Sequence, residues 1–192
     1  MDKKILIGTP IFYRKAYSMP KWLECVDKTG LDLLMVDNSP EPMQLPPLKS
    51  NWKVNWIGSI GEGEDFYNAN LARSREIIRL EVLKNYDYWL SWECDILFEP
   101  SMLEKLLYLI EKADLVHHRY PARFTNKEQG GIGCSLISKK VLEHFTWLDH
   151  RPWGGADGWL LNWLIEQNFK IIDFRDVTEI IHLANEQEGN LD

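Results

Sequence analysis

The sequence is poor in cysteine, in net basic charge and in long apolar runs, and each shortage removes a class of protein. Its three cysteines, Cys25, Cys94 and Cys134, are odd in number and have no Cys-x-x-Cys spacing. That excludes a disulfide framework and a cysteine-based zinc site, and leaves free thiols as the expectation. Lysine and arginine number 22 against 29 aspartates and glutamates, a net charge of −7, the wrong sign for a general hold on a nucleic-acid backbone. No run is both long and apolar enough to span a bilayer, and Met1-Asp2-Lys3-Lys4 leads straight into a strand-like stretch rather than an export leader. A soluble cytoplasmic protein without a transmembrane segment is therefore expected, although exposed aromatics leave peripheral membrane contact open. There is no internal repeat, and Gly8-Thr9-Pro10 stands where a dinucleotide enzyme would carry G-x-G-x-x-G.

What is present is an ordinary globular composition with nine tryptophans in 192 residues, enough chain for one domain with a core on both faces of a sheet. Tryptophans at this density either fill a core or offer flat apolar faces to sugars, and core packing is the ordinary role for any one of them. Short apolar runs alternate with helical patterns along the chain. Lys4–Gly8, Leu33–Val36, Trp52–Ile57, Tyr86–Trp92, Leu115–His118, Lys170–Phe174 and Val177–Leu183 read as strands. Met19–Thr29, with Pro20 near its start and Gly30 beyond its end, reads as a helix, as does Phe66–Lys84 with apolar residues on two sides. A third begins at Pro100-Ser101, where Ser101 and Glu104 have capping-box spacing. A short helix that Ser138 is placed to cap follows Gly131–Ile137, and another runs from Trp153-Gly154-Gly155 to about Asn168. Arg119–Gly130 is a polar connection suited to covering a substrate. The alternation predicts an α/β domain, a mostly parallel sheet flanked by helices, whose ligands gather at the carboxyl ends of the strands.

That rule singles out Thr9, Asp37, Asn38, Glu93, Asp95 and His182, each at or just beyond the end of an apolar run. Two carboxylates one residue apart, Glu93 and Asp95, can aim into one crevice and hold a Mg2+- or Mn2+-like ion together with diphosphate oxygens. By itself such a triplet is more often a solvated turn that caps a helix. His117 and His118 are adjacent on one strand and must face opposite ways, so at most one can join a shared site.

Four stations in order resemble the inverting GT-A glycosyltransferases of the large family-two type, from about Ile5 to His182. Ile5–Pro10 resembles the opening strand of the nucleotide-binding half, with Thr9 and Pro10 at its end. Val36-Asp37-Asn38-Ser39-Pro40 resembles the second strand end, whose acid contacts the base. Asn70-Leu71-Ala72-Arg73-Ser74-Arg75 is similar to the Ala-Arg-Asn helix start, and Tyr88–Asp95 to the strand bearing the D-x-D motif. Further along, Gly131–Ile137 resembles the strand beside the donor sugar, Gly154-Gly155-Ala156-Asp157 the helix start that carries the general base, and Glu179–His182 the late strand that delivers a histidine to the metal. Glu93 stands where the family has Asp, and Ala156 where it has an acid before the base.

The resemblance implies a single domain, with residues 1–97 as nucleotide-binding half, 98–184 as acceptor half and 185–192 as a polar tail. It implies a metal-dependent transfer of sugar from a nucleotide-diphosphate sugar to a hydroxyl of a glycan, protein or lipid. Asp157 would be the general base and Asp95, with Glu93 and His182, the metal ligands. Thr9, Pro10, Asp37, Asn38 and Arg73 would join the two acids around the nucleotide. Plain structural roles stand beside these: a helix N-cap for Asp157, a hydrogen-bonded strand end for His182, a solvated helix face for Arg73 and Arg75, and core packing for Trp159, with Trp153 the better candidate for a sugar. Two other functions fit a similar sheet, a sugar nucleotidyltransferase and a binding module without turnover; the first lacks its glycine-rich phosphate loop, for which Arg14 is a faint substitute.

Overall fold

The computed structural model describes residues 3–61, 64–121, 128–129, 131–149, 155–174 and 180–183. Its frame is a seven-stranded sheet of Ile5–Ile11 (β1), Asp32–Asp37 (β2), Trp52–Trp56 (β3), Tyr88–Trp92 (β4), Leu115–His118 (β6), Cys134–Ser138 (β9) and Ile171–Phe174 (β10). Across the sheet the order is β10-β6-β9-β4-β1-β2-β3. All neighbours are parallel except that β9 runs antiparallel to both β4 and β6. The chain thus builds outward from β1 through β2 to β3, then returns to lay β4 on the other side of β1. The carboxyl ends of β1 and β4 diverge at that reversal and leave a crevice between their loops.

Helices Met19–Asp27 (α1) and Pro100–Ile110 (α3) cover one face, and Glu64–Asn85 (α2), Lys139–His144 (α4) and Gly155–Glu166 (α5) cover the other. Alternation along the strands feeds both cores: Ile5, Ile7 and Ile11 face α1 while Leu6 faces α2. Tryptophan fills much of each. Trp22 meets Trp92 edge-on at 6.0 Å and Trp92 stacks on Phe98 at 3.8 Å, while Trp89 meets Trp147 at 5.2 Å. Trp159 also packs, 4.8 Å from Phe145; Trp153 lies outside the described residues.

Several elements depart from the sequence expectation for local reasons. β1 runs through Pro10 to Ile11 because its pairing with β4 stops at Gly8, and a proline is tolerated where one side of a strand is unladdered. Helix α3 is capped by Glu99 and not by Ser101, since Pro100 takes the first helical position; Glu99 itself makes no side-chain cap bond. Ser138 does occupy the N-cap of α4, but its hydroxyl finds no partner among the described residues. Helix α2 buries Ala72, Ile78 and Val82 but leaves Leu80 at the surface, so its second apolar side is only partly used. Helix α5 ends with Asn168 left-handed at φ 57° and Phe169 N–H donating to Leu164 O, the arrangement that turns a helix off before a strand.

Short pairs complete the chain: Ile96–Leu97 (β5) with Ile181–His182 (β11), and Tyr120–Pro121 (β7) with Glu128–Gln129 (β8), both antiparallel. The last apolar run therefore folds back on the turn after β4 instead of joining the main sheet. All three cysteines are free, and burial raises the pKa of Cys94 and Cys134. No helix among the described residues is long and apolar enough to cross a membrane.

Gly8 marks the tightest contact between sheet and helix. Its carbonyl accepts a 2.9 Å bond from the Trp89 indole, and a β-carbon there would stand 2.6 Å from that nitrogen and closer still to Ile78 Cγ2. Gly8→Ala is expected to cost about 1–3 kcal/mol through overpacking, a fall of roughly 2–4 °C per kcal/mol in the thermal midpoint. A melt within a degree of wild type would show that α2 yields without cost.

Candidate functional site

The crevice at the reversal point takes its shape from the loops that leave β1, β2 and β4. After β4 the chain turns sharply: Ile96 N–H donates to Glu93 O at 3.0 Å, and the buried Trp92 indole donates to Ile96 O at 2.6 Å. The turn presents Glu93 and Asp95. Asp95 is wholly buried, yet its carboxylate is placed between two basic groups, Lys15 Nζ at 3.2 Å from Oδ1 and His182 Nε2 at 3.4 Å from Oδ2. A buried carboxylate requires partners of this kind. β11 is fixed from both sides to supply its histidine, since Leu183 N–H donates to Asp95 O at 2.7 Å and Tyr17 Oη donates to Leu183 O at 3.1 Å. Glu93 is partly exposed, with Oε2 at 3.4 Å from Lys15 Nζ and Oε1 at 3.7 Å from Arg75 Nη2.

Three of the residues singled out in the sequence, Glu93, Asp95 and His182, therefore converge, although Glu93 and Asp95 lie mid-chain and His182 near its end. Lys15, which the sequence did not single out, stands among them. Pro10, Asn38 and Glu93 line a cavity of about 240 Å³ together with Arg14, Lys15 and Tyr67. A 3-10 turn, Tyr13–Lys15, separates it from a second hollow of about 480 Å³ bounded by Tyr13, Ala16 and the Pro40–Gln44 segment.

The remaining candidates have clear local duties. Thr9 is buried and donates to Pro10 O at 3.3 Å. Asp37 is buried too, and its oxygens accept Ser39 N–H at 2.9 Å and Met43 N–H at 2.8 Å, which shapes the wall of the larger hollow. Asn38 donates to Ser74 Oγ at 3.0 Å. Arg73 reaches the carbonyls of Ile57 and Gly58 at 3.5 Å, so Arg75, two residues on, is the arginine beside Glu93. These residues lie well inside α2, whose first residue is Glu64, and not at a helix start.

Asp157 is the third residue of α5, and its side chain lies outside the described residues. Because the short 167–170 connection leads from α5 into β10, which is parallel to β6, the helix runs against the strands. Its N-terminal turn lies at their carboxyl edge.

A second polar row crosses the same sheet face as α5. Ser135, His117 and Asp173 are register partners on β9, β6 and β10. His117 Nε2 lies 3.7 Å from Asp173 Oδ1, and Arg119 Nε donates to Asp173 Oδ2 at 2.6 Å. His117 Nδ1 and Ser135 Oγ are buried and find no hydrogen-bond partner among the described residues, the state in which a trapped water or a ligand group completes the bonding.

As for a metal, carboxylate oxygen and imidazole nitrogen are donors that suit Mg2+ or Mn2+ in kind. Among the described residues no three such side chains stand at metal-holding distances. Asp95 and His182 are the two donors of these kinds that meet here, 3.4 Å apart.

No family model matches the sequence, and no curated protein matches it. Among solved structures the fold matches one described as a "putative nucleotide-diphospho-sugar transferase" from Desulfovibrio desulfuricans G20. The two share 12% identity with a TM-score of 0.53, over 91% of this chain and 81% of that one. The likeness is one of architecture: a mostly parallel sheet flanked by helices.

Burial lowers the pKa of His117, with Arg119 and His118 acting in the same direction and Asp173 opposing. The folded ring is thus held neutral below its unfolded value of about 6.5. The stability this contributes is present above that value and lost as pH falls through the folded pKa. His117→Gln is expected to flatten the decline in unfolding free energy between pH 7 and pH 5, measured by urea titration; an unchanged slope would assign the decline to other groups.

Proposed function

We propose that the protein is a nucleotide-sugar-dependent glycosyltransferase, with residues 1–97 binding the nucleotide and 98–184 the acceptor. The observation that carries this reading is the convergence of Glu93, Asp95, His182 and Lys15 on a crevice at the point where the strand order reverses. Such crevices admit nucleotides at strand carboxyl ends, and the matched architecture, described for another protein as that of a nucleotide-diphospho-sugar transferase, agrees with it.

In this reading the diphosphate lies against Pro10, Asn38 and the Lys15 side of the cavity. The backbone loop shaped by Asp37 forms the edge on which the base rests, and Arg73 keeps the 57–58 loop in position. Asp95 and His182 would hold a divalent ion, with Glu93 beside them, and the ion would supply positive charge for the departing diphosphate. Asp157, in the first turn of α5, takes the proton of the acceptor hydroxyl as that oxygen attacks the anomeric carbon. Attack from the face opposite the leaving group inverts the sugar. Glu93 is drawn toward Arg75 as well as Lys15, which suits a residue that orients its neighbours more than one that binds an ion alone.

A thermal-shift screen of UDP, GDP, CMP and TDP with and without Mn2+ or Mg2+ tests the reading. One nucleotide is expected to stabilise the wild type in a metal-dependent way, by about 2.7 kcal/mol at a hundredfold excess over Kd, and Asp95→Ala to lose that effect. With the matching sugar donor, Asp157→Asn is expected to bind normally but turn over about 10²–10⁴-fold more slowly. Failure of every nucleotide to stabilise the wild type would overturn the assignment.

A further inference from the structure

Lys15 has a position to which the family resemblance assigns no role. The turn that carries it is tied down at several points. Lys15 N–H donates to Phe12 O at 2.8 Å, Tyr13 N–H to Ser39 Oγ at 2.8 Å, and Ser18 Oγ to Lys15 O at 2.7 Å. From this fixed base the side chain reaches both carboxylates of the β4 turn, 3.2 Å from Asp95 Oδ1 and 3.4 Å from Glu93 Oε2. It also lines the 240 Å³ cavity. One cation therefore touches both acids and, with Glu93, lines the same cavity.

An ammonium and a divalent ion at these two carboxylates compete, because like charges a few ångströms apart repel and both draw on the same oxygens. The lysine can give way without backbone movement, since its charge rides on a flexible four-carbon stem. The space it already lines is where the diphosphate rests in the proposed function, and phosphate is a natural partner for lysine acting as a point charge.

We propose that Lys15 is the resident counter-ion of Glu93 and Asp95 until a divalent cation binds, that the cation displaces it, and that the displaced ammonium then binds the nucleotide diphosphate. The proposal rests on the transferase reading for its second half only. Cation and nucleotide are coupled through one side chain: the cation frees the lysine for the nucleotide, and by linkage the nucleotide, by holding the lysine away, strengthens the cation.

Calorimetry on the full chain separates the parts. With Mn2+ alone, Lys15→Gln is expected to bind at least about tenfold more tightly than wild type, because a competitor and a repelling charge are gone. With Mn2+ present, the same variant is expected to bind the nucleoside diphosphate at least about tenfold more weakly. Lys15→Arg keeps the charge and is expected to leave Mn2+ affinity near that of wild type. Equal Mn2+ affinity in wild type and Lys15→Gln overturns the exchange, even if nucleotide still binds and the transferase reading stands. Tighter Mn2+ binding in Lys15→Gln with no nucleoside diphosphate bound by wild type keeps the exchange, and overturns the handover and the transferase reading together.

A measurement on the wild type covers the case in which Lys15→Gln fails to fold. The lysine 13Cε resonance of Lys15, assigned by its loss in Lys15→Arg, is expected to shift on adding Mg2+ and again on adding nucleoside diphosphate. A resonance that Mg2+ leaves unmoved overturns the proposal.

Discussion

A carboxylate without solvent must be surrounded by groups that answer its charge, and Asp95 imposes that condition on two distant parts of the chain. Its side chain is wholly buried at the turn after β4, with Lys15 from the turn after β1 on one oxygen and His182 from the last described strand on the other. The Trp92 indole, the Leu183 amide and the Tyr17 hydroxyl fix the backbone around it. Removing one partner from such a cluster leaves a charge that water cannot reach, and that is costly.

The sheet puts that centre where a ligand can enter. The strand order reverses between β1 and β4, so the loops that follow them part, while Gly8 lets Trp89 and Ile78 close tightly beneath the opening. The tryptophan pairs on the two faces make the floor stiff. The antiparallel β9 then separates β3, β2, β1 and β4 from β6 and β10, and on the α5 face it carries Ser135 opposite His117. The protein thus has two polar regions on one stiff sheet, the crevice at the β1–β4 reversal and the buried row toward α5.

Much of this was legible from local pattern. Leu115–His118 was read to the residue, and the other main strands other than β9 to within a few, because short apolar runs end at turn-forming residues. Glu93 and Asp95 stand just after β4 as read, but His182 reaches Asp95 because β11 pairs with β5, and not because it follows a strand of the main sheet. What escaped depends on information that a local pattern does not hold. Strand direction is not encoded in alternation, so β9 gave no sign of running against its neighbours. Lys15 lies 80 residues from Asp95 along the chain, and a lysine in a polar loop is ordinarily solvated; its only signal was a place just beyond β1. Arg73 and Arg75 differ by about 200° around a helix, and only the packing of α2 on the sheet decides which of them meets Glu93. Asp37 looked free at a strand end, but the Ser39 and Met43 amides that follow it take both oxygens.

The central claim is that the β4 turn and the loop after β1 together hold a metal-bound nucleoside diphosphate. A crystal structure of the protein with Mn2+ and the nucleotide that stabilises it most, with anomalous data at the manganese edge, tests this directly. The account predicts one anomalous peak bonded to Asp95 and His182, with the diphosphate beside it and Lys15 Nζ on a phosphate oxygen. A peak elsewhere, or a nucleotide bound away from the β1–β4 crevice, would contradict it.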